Sequence, residues 1–317
     1  MTIILGIDVS KYNLDVFDSH SQKYHKFSNT SDGLEKLVQH YKSLNQPKKV
    51  IMESTAVYQR LSHKTLEQAG FEVCLINPYK SRCFAKSAGF LAKTDKVDAR
   101  MLCSYGQRVD CRTTSYPSKE HEELDSLLSY KTSLNDERIR YINQLEQNHA
   151  CDYVQTSIQK RLKELNSLLR ELEKRIENLI NAHKEMYKKR EILESVPGVG
   201  KGTVATLLCY LPELDKANRK EVAVLVGVAP LVCESGQFRG RAMIKGGRAH
   251  VRKALYMPIL TCIRKNERIK DFYQKLKDQG KPTKVVLTAC MRKLLIILSH
   301  MLKTKTLWMA HKTQTTC

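Results

Sequence analysis

The stretch "GIDVSK", Gly6 to Lys11, sets one carboxylate, Asp8, inside an apolar run that otherwise reads as a buried strand. A lone ionised carboxylate in such a place is costly or is driven toward its neutral form, so Asp8 calls for company. Three further acids are spaced to supply it. Glu53 closes the apolar strand "KVIMES", and strand ends flank the crevice in which open α/β sheets place their sites. Asp95 and Asp98 stand three residues apart in "KTDKVDAR", which on a helix puts both on one face. Four facing acids repel one another and cannot all ionise without a cation among them, and oxygen ligands in that number suit Mg²⁺ or Mn²⁺. Two such ions about 4 Å apart serve phosphodiester chemistry, one at the attacking oxygen and one at the leaving oxygen. The plainer use of an Asp at a strand end, as a turn cap or salt-bridge partner, stands beside this reading.

Acids so far apart in sequence need a sheet to gather them. Up to about Gln107 the pattern gives three early strands ("TIILGIDVS", "NLDVFDS", "QKYHKFSN") and then helix alternating with strand, with Gly70 closing a helix and Pro78 opening a helical region through "DKVDARMLCSYGQ". This describes an α/β domain with a mixed sheet over residues 1–115. The polar, Pro-containing "TTSYPSKEH" marks a boundary. Beyond it Ile158, Leu162, Leu165, Leu169, Leu172, Ile176 and Leu179 recur at steps of four and three, a heptad seam. Residues 116–190 therefore read as a helical coiled-coil connector, either an antiparallel hairpin, an intermolecular pair, or a long helix packed on its own chain. Residues 191–317 form a third, helix-rich region with Gly-rich turns.

The balance of 54 Lys and Arg against 33 Asp and Glu gives a formal charge of +21, and a polyanion is the natural counterweight to such self-repulsion. The most apolar late stretch, "VVLTACMRKLLIILSHML", is interrupted by Arg292 and Lys293 and reads as too short to span a bilayer. No basic segment precedes the first apolar run, so a cytoplasmic location is expected. Ten cysteines without a Cys-x-x-Cys pair suit reduced thiols and not a structural zinc site.

Two late segments suit nucleic acid. "SVPGVGKGT" resembles the hairpin of a helix-hairpin-helix motif, in which Gly198, Gly200 and Lys201 offer backbone amides and a cation to a phosphate; a plain Gly-rich connector fits the same letters. It lacks the spacing of a Walker A loop, so nucleotide hydrolysis has no support. Between Gly236 and Tyr256, Arg239, Arg241, Lys245, Arg248, Arg252 and Lys253 occur with no acid, which suits either a solvated face or a phosphate chain approached closely by glycines. Just ahead lies Ser235 in "ESGQ", by composition a turn residue whose hydroxyl is weakly nucleophilic without a base or metal.

In this order, "GIDVSK", "MESTAVY" and "KTDKVDAR", followed by the Ser-Gly segment from Gly227 through Tyr256, resemble the IS110 family of insertion-sequence transposases, and "IKGGRAHVRKALY" resembles its IS1111 subgroup. The resemblance implies a ribonuclease H-like, RuvC-like DEDD domain whose metal-binding acids are Asp8, Glu53, Asp95 and Asp98, and a transposase domain whose serine is Ser235. It implies strand cleavage and rejoining through a phosphoserine intermediate with Mg²⁺ or Mn²⁺ and without ATP. Donor and target DNA, a structured non-coding bridge RNA, and homo-dimers and tetramers joined by the coiled coil are its implied partners, with the protein at the nucleoid of a bacterial or archaeal cell. A hydrolytic resolvase using water with the same acids, and a non-enzymatic nucleic-acid scaffold, are the competing readings.

Overall fold

Ile3, Ile4, Leu5, Ile7 and Val9 put apolar side chains on both faces of a strand, and the computed structural model makes that strand the centre of a sheet. The structure describes residues 2–309 except 45, 55–56, 148–150, 233, 237 and 241, and describes Phe238 and Arg239 by backbone alone. The chain divides into two compact units, Met1–Pro117 and Ser118–Cys317.

In the first unit β1 (Ile3–Val9), β2 (Asn13–Asp18) and β3 (Tyr24–Ser28) form an antiparallel meander, followed by α1 (Ser31–Lys42), β4 (Lys48–Glu53), α2 (Gln59–Gln68), β5 (Glu72–Ile76), α3 (Pro78–Ser87) and α4 (Asp95–Arg108). The sheet order is β3-β2-β1-β4-β5, with β1, β4 and β5 parallel. One face packs Leu5, Ile7 and Val50 against Leu34 and Leu37 of α1 and Leu66 of α2. The other packs Ile51 and Cys74 against Met101 and Leu102 of α4. Gly6 is what lets α4 lie so close. A Cβ there would stand 2.1 Å from the Ala99 carbonyl oxygen and 2.2 Å from the Cys103 nitrogen, both backbone atoms. The helical region expected to run from Pro78 through Gln107 is instead two helices, because the chain turns through Gly89 at φ +80° and restarts under the Thr94 cap.

The second unit begins with α5 (Lys119–Leu145) and α6 (Asp152–Ala182), packed as an antiparallel hairpin. Leu134 meets Leu165 and Leu169, and ion pairs Arg161–Glu137 (2.9 Å) and Lys131–Glu173 (2.8 Å) tie the flanks. The heptad seam is thus buried within one chain. At its base Leu124, Leu128, Ile176 and Ile180 enter the core of everything that follows, so 116–190 and 191–317 share one unit where two domains were expected. That remainder comprises α7 (Lys184–Glu194), α8 (Lys201–Tyr210), a 3₁₀ turn (Pro212–Asp215), α9 (Arg219–Val226), the two-residue strands β6 (Pro230–Leu231), β7 (Glu234–Ser235), β8 (Phe238–Arg239) and β9 (Met243–Ile244), and α10 (Ala249–Ala254), α11 (Tyr256–Lys265), α12 (Glu267–Asp278) and α13 (Thr283–Thr304). At 22 residues α13 is long and apolar enough to cross a bilayer, which corrects the shorter span expected. Leu294, Leu295 and Leu298 along it are fully buried, and it serves as a core helix of this unit.

Candidate active site

All four predicted acids stand at one end of the first sheet, on the α4 face. Asp8 lies near the carboxyl end of β1, and Glu53 is the last residue of β4, its parallel neighbour. Thr94 caps α4 by accepting from the Val97 amide, so Asp95 and Asp98 fall in the first helical turn, where the helix dipole favours negative charge. Asp8, Glu53 and Asp98 are half-buried and Asp95 is exposed. The Asp8 carboxyl is pushed up to about 6, first by burial and then by Asp98, Asp95, Glu53 and Asp15. Asp98 is also raised, chiefly by burial, with Glu53 and Asp95 adding to it and Lys93 opposing. The Ser81 hydroxyl donates to Glu53 Oε1 and fixes that carboxylate from α3.

This donor set is oxygen alone, partly desolvated and mutually repelling, which is the chemistry of a hard divalent cation's ligands. The carboxylates face one another at electrostatic range: among the described residues no three His, Cys, Asp or Glu side chains converge at coordination distance.

Sequence reasoning missed a fifth acid. Asp15 is 1% exposed and sits directly across from Asp8 in the antiparallel register, so both side chains leave the sheet on the same face. The Tyr24 hydroxyl donates to Asp15 Oδ1, and Lys26 Nζ stands 3.7 Å away. The tight connection between Val9 and Asn13 carried the signal, since it fixes the register that opposes positions 8 and 15.

In the second unit, β7 and β8 pair as a small hairpin carried on the β6–β9 ribbon, and Ser235 is the exposed last residue of β7, followed by Gly236 at φ +55°. Among the described residues no base is hydrogen-bonded to its hydroxyl. Arg241 and the side chain of Arg239 lie outside the described residues, and Lys245 is exposed. Two other predicted phosphate ligands are held inside the fold. Arg248 makes a two-pronged contact with Glu213 (2.6 and 2.7 Å) and donates to the Tyr210 carbonyl (2.9 Å). Arg252 donates to the carbonyls of Val226 (3.0 Å) and Gly246 (2.9 Å). Lys201 pairs with Glu177 at 2.6 Å across to α6. Gly198, at φ +99°, packs on Cys262 of α11, while Gly200 caps α8 with open space around it.

Comparison with known proteins accords with this order of parts. A DEDD-type IS110 model described as "Transposase" matches residues 5–149, and a model described as "Transposase IS116/IS110/IS902 family" matches residues 190–274. The pilin gene-inverting protein of Moraxella bovis is 28% identical over 307 residues, covering 92% of this chain and 93% of that protein. An uncharacterised 43.6 kDa insertion element IS110 protein of Streptomyces coelicolor is 26% identical over 159 residues, 50% of this chain and 38% of that one. Among solved structures, T. thermophilus RuvC in complex with a Holliday junction substrate aligns over 36% of this chain and all of that one, at 12% identity and a TM-score of 0.26, an overlap too slight to bear on the fold.

Proposed function

Because the chain belongs to the IS110 family of transposases, and so is a DNA recombination enzyme, we propose that it cleaves and rejoins DNA through a covalent bond between Ser235 and a DNA phosphate. In the forward step Ser235 Oγ attacks phosphorus, the bond from phosphorus to one sugar oxygen breaks, and the serine proton ends on the departing hydroxyl. Rejoining is the reverse step with the hydroxyl of another strand, which returns the serine unmodified and consumes no nucleotide. One phosphodiester is exchanged for another, so the bond energy is retained.

The observation that carries this reading is the gathering of Asp8, Glu53, Asp95 and Asp98, the acids the DEDD pattern singles out, at one end of the first sheet; burial first and then the neighbouring acids push the Asp8 carboxyl up to about 6 there. Asp8, Glu53, Asp95 and Asp98 would hold Mg²⁺ or Mn²⁺, which when bound withdraws charge from a phosphate and acidifies a nearby hydroxyl. The exposed ribbon beneath Ser235 lets the hydroxyl be presented to a separate surface, where a cation held by the acid cluster would activate it. We propose a composite site of serine and acids in a RuvC-like arrangement, formed within a chain or between protomers. Exposed Ile139, Ile142 and Tyr153 on the α5–α6 hairpin support dimers and tetramers joined there. The +21 charge supports donor DNA, target DNA and a structured bridge RNA as partners at the nucleoid.

Incubation with end-labelled element DNA and Mg²⁺, resolved on a denaturing gel, tests the reading. Wild type is expected to shift label into a protein-linked band, and both Ser235→Ala and Asp8→Asn to lose it. Cleavage to free ends that persists in Ser235→Ala favours a hydrolase using water; activity untouched by Asp8→Asn and by chelator favours a scaffold.

A further inference from the structure

A cavity of about 1360 Å³ in the second unit runs along the outer face of α13. Its apolar wall includes Phe272, Ile296, Ile297, Met301 and Trp308. Its rim carries Arg219, Arg268, Lys284, Arg292 and Lys293, and its described lining contains no Asp, Glu, Asn or Gln. Among the described residues none of Arg219, Arg268, Lys284 and Arg292 is ion-paired, in contrast to Arg248 and Lys201, while Lys293 lies over the Phe272 ring at 4.3 Å. Pro230 and Ile244, paired as the stem of the ribbon that carries Ser235, form part of the same wall.

We infer that this groove binds single-stranded DNA next to the reacting phosphate, with unstacked bases against the apolar wall and phosphates along the cationic rim. The inference rests on Ser235 acting on DNA, as proposed above. An apolar wall with a purely cationic edge matches a ligand that is flat and apolar within and anionic at intervals, the pattern of strands held by aromatic platforms in positive grooves. The volume exceeds the roughly 300–1,000 Å³ of sites for small molecules, so it suits several units of a chain. Duplex DNA keeps its base faces stacked and cannot use the wall. The stem of the serine ribbon forms one edge, so the strand in the groove is the one the serine acts on, which selects DNA over RNA.

Trp308 is the protein's single tryptophan, so its fluorescence reports this groove alone. Titrating full-length protein with a single-stranded oligodeoxynucleotide in chelator, so that no cleavage occurs, is expected to quench it. Duplex and single-stranded RNA of the same sequence should quench at least tenfold less well at equal concentration. Arg268→Ala and Arg219→Ala, exposed and outside the core, should each lower the slope of log affinity on log salt by about one with no change in melting temperature. Ser235→Ala should quench like wild type. Oligonucleotide binding by anisotropy without quenching, equal quenching by RNA, quenching by anionic vesicles in place of DNA, or quenching that tracks protein concentration alone would each overturn the inference. With Mg²⁺ in place of chelator, a serine–DNA adduct formed without any change at Trp308 would sink the groove and spare the serine, while quenching with no adduct would sink the serine and leave the groove a strand-binding surface unconnected to a reacting phosphate.

Discussion

At the level of single residues, Asp8 is poised by its neighbours. Its folded value near 6 lies above the ordinary 3.8, so between those values the folded protein binds the proton more tightly than the unfolded chain. Its contribution to stability is therefore present at low pH and is lost as pH rises through about 4 to 6. In chelator, Asp8→Asn is expected to match wild type near pH 4 and exceed it by about 1–2 kcal/mol above pH 6.5, allowing for solvent screening of a half-exposed group. Urea melts across that range measure it; equal stability at both ends would show that Asp8 is neither desolvated nor crowded by the other acids. Adding Mg²⁺ at neutral pH should raise the wild-type melting temperature and leave Asp8→Asn unmoved. The arginines show how little of a side chain's use is written beside it. Arg248 sits in a run of cations and reads as a phosphate ligand, yet its partner, Glu213, lies 35 residues earlier. Arg248→Ala should cost about 1 kcal/mol in a thermal melt and leave the salt dependence of nucleic-acid binding unchanged.

Among the elements, the sheet was legible because β1, β4 and β5 carry apolar runs bounded by turn residues, and the hairpin register follows from a short connection. The heptad seam correctly marked α6, but whether a seam faces its own chain or another is decided by loop length and by what covers its ends. The strands β6 to β9 escaped notice because two residues carry no periodicity, and the groove beside them is built from segments scattered between positions 219 and 309. Gly6 was read only as part of a motif; its role is to admit α4. Because a Cβ at Gly6 overlaps backbone and not a flexible side chain, Gly6→Ala must displace α4 from β1. The expected cost is about 3 kcal/mol, at the upper end for overpacking, with loss of the Mg²⁺-dependent rise in melting temperature. Gly200→Ala, with open space around the site, should leave stability within about 1 kcal/mol in the same melt.

For the whole molecule, two compact units carry the parts of the proposed chemistry: carboxylates gathered by a mixed sheet in one, and an exposed serine on a ribbon in the other. The net charge of +21 makes binding to nucleic acid steeply dependent on salt, and log affinity for DNA should fall linearly with log salt. Mass spectrometry of the protein–DNA adduct, digested with nuclease and protease, reads the central claim at the bond itself. A nucleotide phosphate attached to Ser235 is the predicted result. Its attachment to any other residue, or recombination that proceeds with Ser235 unmodified at every time point, would contradict the account.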